Sequence, residues 1–363
     1  MLTKIKYLSI FTIFTLFLLL TTQCGGQPAD APAAADKAAA AGQEVGEEKQ
    51  VEARQPEADE HEAEATELAP IDLADGQKLK VVATTSIVAD LVKNVGGDLI
   101  ELQVLLPIGT DPHSFEPTPG DLATIAEAHL IFANGMGLEE FLNEMLKNAG
   151  GGAALVEVSN GIEPRQMSQA EAQAHEAEEE EEHADEHEGA DPHTWTTPNN
   201  ALIFVHNIEH ALSALDPANA KTYADHATTY EAELEQLDAW VKTQIQTIPA
   251  ENRELVTDHT IFGYYADRYG LTQIGAIIPS FSTTAEQSAQ ELAGLEEIIK
   301  QQGVKAVFVG NTVNPGLEQR VAEDTGTKLV QLYSDSLGPE GSGVETYVDY
   351  IKYNTHTIVD SLK

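Results

Sequence analysis

From about residue 78 onward, short apolar runs alternate with stretches in which apolar residues recur every three or four positions. KVVATT near 80, IELQVLL near 101, HLIFAN near 129 and ALVEVS near 154 have the length and β-branched content of strands. The intervals between them carry helical spacing, so this half predicts an α/β lobe with a mainly parallel sheet. After residue 250 the scheme returns as RELVTDH, QIGAII, KAVFVG and KLVQLY, with helices expected near 286–302, near 314–325 and beyond 342. Between the halves, residues 200–213 read as a helix. LDPANAKTYADHATTYEAELEQLDAWVKTQIQTI then reads as one long amphipathic helix over about 217–247, with Asp216 as its cap and Pro217 in its first turn. The predicted fold is α/β: two lobes, each a four-stranded mainly parallel sheet flanked by helices, joined by one long helix. The N-terminal lobe spans 77–215, the connecting helix 216–248 and the C-terminal lobe 249–363.

Two regions fall outside this rhythm. Residues 25–76 are built from Ala, Glu, Asp and Pro with few large apolar residues, too little apolar surface to offset chain entropy, and read as a disordered acidic linker. Residues 168–190, SQAEAQAHEAEEEEEHADEHEGA, form a low-complexity insertion expected as an exposed loop. His175, His183 and His187 lie among its carboxylates and are candidates for weak, auxiliary metal gathering. Ahead of the linker, MLTKIKYLSIFTIFTLFLLLTTQCGGQ has two lysines and an apolar stretch too short for a comfortable span, the pattern of an export signal over residues 1–24. Cys24 followed by Gly-Gly resembles a bacterial lipoprotein cleavage site, although Gln23 stands where a small residue is usual. Acylation of Cys24 would tether the protein at the outer face of the cytoplasmic membrane or in the periplasm.

The formal net charge of −40 argues against nucleic acid and anionic membranes as partners. Residues 25–75 hold 14 acidic against 3 basic residues, and residues 168–191 hold 11 acidic and none basic, so the folded remainder is only moderately acidic. With Cys24 the single cysteine, no disulfide forms within the chain and no thiolate cluster can hold zinc. Metal chemistry must use imidazole and carboxylate.

Of the 12 histidines, His129, His226 and His356 are expected as surface or core residues, and the pair His206 and His210 lacks the glutamate of HExxH. His113 and His193 differ, because each stands behind an Asp-Pro turn, in DPHSFEP and DPHTW. Together with His259, which ends RELVTDH, and Asp335 in LYSDSLG, they fall at or beyond the carboxyl ends of apolar runs, where open α/β sheets collect ligands. Two ligands from each lobe would close a metal site in the cleft between them. Asp111 and Asp191 could fix the tautomer of a ligand imidazole or serve in turn formation alone. Glu116 is the one acid that could serve as a base beside a ligand. Trp195, Phe115 and Phe262 are candidates for keeping water out of the cleft.

TDPHSFEPTPGD, DPHTWTTP, HTIFGYYADRYGL and YSDSLG, in this order and over nearly the whole folded part, resemble the cluster A-I metal receptors of bacterial ABC importers, closest to the zinc-uptake receptors. The resemblance implies that His113, His193, His259 and Asp335 bind one ion between the lobes. It also implies delivery to a membrane permease driven by a cytoplasmic ATPase. Manganese receptors of this kind commonly carry glutamate where this chain has His259, so three imidazoles and one carboxylate favour zinc as the transported ligand, with manganese or iron as alternatives. Four protein ligands leave little room for the water of a hydrolytic zinc enzyme, so no enzyme is expected. A zinc-dependent hydrolase and an adhesin are the alternatives from other classes, and a monomer is expected. Affinity is expected to fall with pH through the imidazole range of about 6 to 7.

Overall fold

The apolar runs form two parallel sheets of the same connectivity. In the first, β1 (Leu79–Ala83), β2 (Ile100–Val104), β3 (Leu130–Ala133) and β4 (Ala154–Glu157) pair in the order β2-β1-β3-β4. In the second, β5 (Glu254–His259), β6 (Thr272–Ile278), β7 (Ala306–Val309) and β8 (Lys328–Gln331) pair in the order β6-β5-β7-β8. The computed structural model describes residues 68–74, 76–167 and 190–363. Cys24, the export signal, His175, His183 and His187 lie outside the described residues. No helix among the described residues is long and apolar enough to cross a membrane.

Side chains alternate along each central strand, as the pleat requires. Leu79, Val81 and Ala83 of β1 enter a core shared by both lobes, whereas Val82 enters a separate cluster with Ile125, Ile131, Leu142 and Met145 on the other face. The second sheet repeats this: Leu255, Ala306 and Phe308 face the shared core, and Val256 and Val307 face Leu295, Ile299 and Val321. The outer clusters are roofed by α2 (Pro119–Glu127) and α3 (Glu140–Ala149) in one lobe, and by α7 (Ala289–Gln302) and α8 (Gly316–Thr325) in the other. The shared core is filled by α1 (Ser86–Gly96), α4 (Pro198–Leu215), α5 (Ala220–Ile245), α6 (Gly263–Tyr269) and α9 (Tyr347–Leu362).

α5 is the long helix. Its 26 residues extend about 39 Å at 1.5 Å per residue. Tyr223, Ala227, Tyr230, Leu234, Leu237, Val241 and Ile245 form a buried stripe at three- and four-residue spacing that packs on α1, α4 and α9. Its start differs from the expected one. Pro217 sits in the turn after α4, and α5 begins only at Ala220; the Asp216 carboxylate accepts from Asn219 Nδ2 at 2.7 Å and Tyr223 Oη at 2.9 Å instead of capping backbone. A buried phenol hydroxyl offers the carboxylate a better-desolvated partner than the frayed end of a helix. The folded part also starts earlier than residue 77, because Leu68, Ile71 and Leu73 pack against the shared core and Ile71 N donates to Leu215 O at 2.9 Å. These three apolar side chains separate the end of the expected linker from its Ala/Glu-rich body.

Polar contacts fasten the lobes near the strand ends. Ser86 Oγ accepts from Leu337 N at 3.0 Å and lies 3.2 Å from Ser336 Oγ, which in turn accepts from Gly109 N at 2.8 Å. Asp90 Oδ2 on α1 accepts from Tyr347 N, at the first turn of α9, at 2.9 Å.

Candidate metal centre

Both Asp-Pro-His turns fold in the same way. Asp111 Oδ1 accepts from His113 N at 3.0 Å, and Asp191 Oδ1 accepts from His193 N at 3.0 Å. Each aspartate closes a turn that presents the histidine two residues on. Only the second does more: Asp191 Oδ1 also lies 2.8 Å from His193 Nδ1, which places the ring proton on Nδ1 and leaves Nε2 as a lone pair. Asp111 makes no such bond; its other oxygen accepts from Ser114 Oγ at 3.0 Å and, across the cleft, from Thr283 Oγ1 at 2.6 Å. Of the two roles expected for it, Asp111 takes turn formation, and it adds a contact to the other lobe through Thr283. Glu116 is exposed and is absent from the metal-competent group, and two residues on, Thr118 caps α2.

The His193 turn is braced by groups distant in sequence. Asn134, directly after β3, donates Nδ2 to Pro192 O at 2.8 Å and accepts from Thr194 Oγ1 at 3.2 Å. Buried Glu139 in turn accepts from Asn134 N at 2.8 Å, Gly135 N at 3.1 Å and Thr84 Oγ1 at 2.6 Å. Gly135 has φ +86°, and a Cβ there would come within 2.7 Å of Glu157 Cβ, so this bend needs glycine. Arg165 Nη1 stands 3.6 Å from Asp191 Oδ2 while its Nε donates to Asp267 Oδ2 at 2.8 Å, linking the turn to α6.

His259 is the last residue of β5, fully buried, with Nδ1 3.4 Å from Asp258 Oδ1. Asp258 Oδ2 accepts from Gly310 N at 3.1 Å. Asp335 follows β8; its Oδ2 accepts from Thr312 Oγ1 at 2.9 Å, and its Oδ1 is buried with no hydrogen-bond partner.

Four donor atoms, one from each of His113, His193, His259 and Asp335, lie within 4.8 Å of one another, the one such metal-competent group among the described residues. His193 Nε2 is 3.3 Å from His113 Nε2 and 3.2 Å from His259 Nε2, and His259 Nε2 is 3.7 Å from Asp335 Oδ1. A tetrahedron with bonds of about 2.0–2.1 Å has edges of roughly 3.3–3.4 Å, so these separations fit one small cation at the centre. Converging lone pairs and an orphaned carboxylate oxygen repel one another unless a proton or cation lies between them. Burial lowers His193 well below the ordinary imidazole value, helped by the neighbouring His259 and His113, and burial likewise lowers His113. Burial opposes the charge on His259 too, but Asp258 and Asp335 outweigh it and raise that imidazole to about 9. Asp335 is held below the usual carboxylate range, against burial, by His259, His113 and His193. Asp191 is pushed up to about 7 by burial, while the His193 N–H and Arg165 pull it down.

The discounted histidines stay away from this cluster: His129 Nδ1 accepts from Lys80 N, His226 Nδ1 contacts Val95 O, His356 packs on Trp240, and His206 and His210 are exposed. Of the aromatics, Trp195 lies edge-on to the His193 ring at 5.3 Å, whereas Phe115 packs on Phe141 in the outer cluster and Phe262 in the shared core. Phe281, 6.4 Å from the His193 ring, was not foreseen. Among the residues missed, Asp258 carried a signal, an acid directly before a candidate ligand; Asn134, Glu139 and Thr312 carried none that local spacing could reveal.

Residues 81–361 match the family model described as zinc-uptake complex component A, periplasmic (ZnuA). The chain is 32% identical to the manganese-binding lipoprotein MntA of Halalkalibacterium halodurans over 79% of this chain and 90% of that protein. It is 35% identical to the manganese ABC transporter substrate-binding lipoprotein PsaA of Streptococcus mitis over 80% of this chain and 91% of that one. The solved periplasmic zinc-binding protein TroA of Treponema pallidum superposes with a TM-score of 0.69 at 28% identity, covering 79% of this chain and 99% of that one.

Proposed function

The chain belongs to the ZnuA family of zinc-uptake components, and on that premise we propose that it captures Zn²⁺ outside the cytoplasm and hands it to an importer. It is a substrate-binding protein of a metal ABC importer and not an enzyme. An ABC permease and its ATPase are the partners this role requires, and a lipid on Cys24 would keep the receptor beside them. His113, His193, His259 and Asp335 are the ligands we assign. The observation that carries zinc is the donor set: three imidazole nitrogens and one carboxylate oxygen within 4.8 Å of one another, a nitrogen-rich group that zinc accepts and manganese does not favour.

Manganese is the second reading, favoured by relatives named for that metal. Competitive titration of metal-free protein with both ions decides between them. Zinc is expected to displace manganese at equal concentration, with one tightly held equivalent per chain; manganese retained against equimolar zinc would overturn the assignment.

Capture must expel the His259 proton. Because that imidazole is raised to about 9 while His193 and His113 are lowered, zinc binding near pH 7 is expected to release about one proton. Affinity then rises about tenfold per pH unit up to roughly pH 9, a higher window than the 6 to 7 of free imidazole. Calorimetry in buffers of different ionisation enthalpy measures the proton count, and an affinity flat from pH 7 to 8.5 contradicts it. In the metal-free protein the same raised value stabilises the fold below the unfolded value of 6.5, and that stabilisation is lost as pH rises through about 9.

A further inference from the structure

Asp335 is the one oxygen donor of the cluster, and how many of its oxygens reach the ion decides the coordination number. A carboxylate free at both oxygens can clasp a cation bidentately, adding an oxygen donor and a fifth bond, which suits manganese better than zinc. Here the two oxygens are treated differently. Oδ2 accepts from Thr312 Oγ1 at 2.9 Å; Oδ1 is buried without a partner, 3.7 Å from His259 Nε2.

Thr312 is itself held. Its hydroxyl lies 3.2 Å from Ser334 Oγ, and the preceding Asn311 accepts from Ser334 N at 3.0 Å and donates Nδ2 to Ser336 O at 3.3 Å. The loop after β7 thereby grips the loop that carries Asp335. Gly310 allows this approach, since a Cβ there would meet Ser334 Oγ at 2.2 Å. The hydroxyl cannot drift off Oδ2 without breaking these contacts.

We propose that Thr312 is a metal-selectivity residue: by occupying Oδ2 it restricts Asp335 to a single donor oxygen and holds the site at four bonds, favouring zinc over manganese. This rests on the four-ligand reading above. Thr312 touches no ion; it acts through Asp335. Valine at this position keeps the shape and one methyl while removing the Thr312 donor from Oδ2, so that this oxygen is less committed and more available to a cation.

The test compares wild type, Thr312→Val and Thr312→Ser by chelator competition with Zn²⁺ and Mn²⁺ separately, together with X-ray absorption of the zinc- and manganese-loaded proteins. Thr312→Val is expected to lower the ratio of zinc to manganese affinity about tenfold and to add an oxygen neighbour to bound manganese. Thr312→Ser, which retains the hydroxyl, is expected to keep the wild-type ratio. An unchanged ratio in Thr312→Val, even with both affinities reduced, would overturn the proposal and leave Thr312 a structural prop; a shift in Thr312→Ser as large as in Thr312→Val would overturn it as well. Thr312→Ala gives the same readout should the valine variant melt early. A wild type that prefers manganese would sink the zinc reading alone, because the inference is judged on the change in ratio between variants.

Discussion

His193→Ala is expected to weaken zinc binding by on the order of 100- to 1000-fold. A four-ligand zinc site is worth roughly 10–16 kcal/mol near pH 7, so one ligand represents about 2.5–4 kcal/mol. His193 stands at the upper end of that range because its Nε2 lies against both other imidazoles and its Nδ1 is fixed by Asp191. Water can replace the lost nitrogen, but not the orientation. Chelator competition measures the loss, and a decrease below tenfold would remove His193 from the ligand set. The variant should remain folded without metal, since the Asp191 carboxylate keeps Arg165 close by at 3.6 Å.

Trp195→Ala is expected to cost about 3–5 kcal/mol of metal-free stability, the usual range for emptying a buried aromatic site. Its side chain is 2% exposed and sits at the seam between the lobes, where Nε1 donates to Ser334 O at 3.2 Å. The backbone oxygen of Trp195 accepts from Tyr347 Oη at 2.8 Å, and the same Ser334 O accepts from Tyr350 Oη at 3.0 Å. Truncation removes packing from the His193 ring and leaves Ser334 O with one donor fewer. With about 270 described residues, at roughly 2.1 cal/mol/K of unfolding entropy each, the chain should then melt roughly 5–9 °C lower. Thermal unfolding in the presence of chelator provides the check; a midpoint within 2 °C of wild type would mean that the lobes are fastened elsewhere. Trp195→Phe should recover most of the packing and none of the hydrogen bond.

The two sheets and their helices were legible because each buried strand is a short apolar run and each helix carries a periodic stripe, both local properties of the chain. The structure departs from these expectations where another side chain takes the group that a local signature had assigned. Asp216 has the form of a cap before Pro217, yet Tyr223 and Asn219 take its carboxylate. Phe115 follows a candidate ligand closely but packs on Phe141 in the outer cluster. The positions of His113, His193, His259 and Asp335 at or beyond the ends of strands could be read from the order of apolar runs. The supports of these residues could not, because Asn134 with Pro192, and Thr312 with Asp335, are joined only after the loops of different strands meet. Both Asp-Pro-His turns look alike in sequence and close alike; only the structure separates the one that also holds its imidazole.

The four donors come from four separate segments, two that follow strands of the first sheet and two at or after strands of the second. A nascent polypeptide would therefore carry them as isolated, weak binders, and the cage would come into being only once both sheets have formed and met. On the four-ligand assignment proposed above, cargo acquisition is then expected to follow folding. The compartment in which the chain folds, more than the one in which it is synthesised, then determines which cation it first encounters.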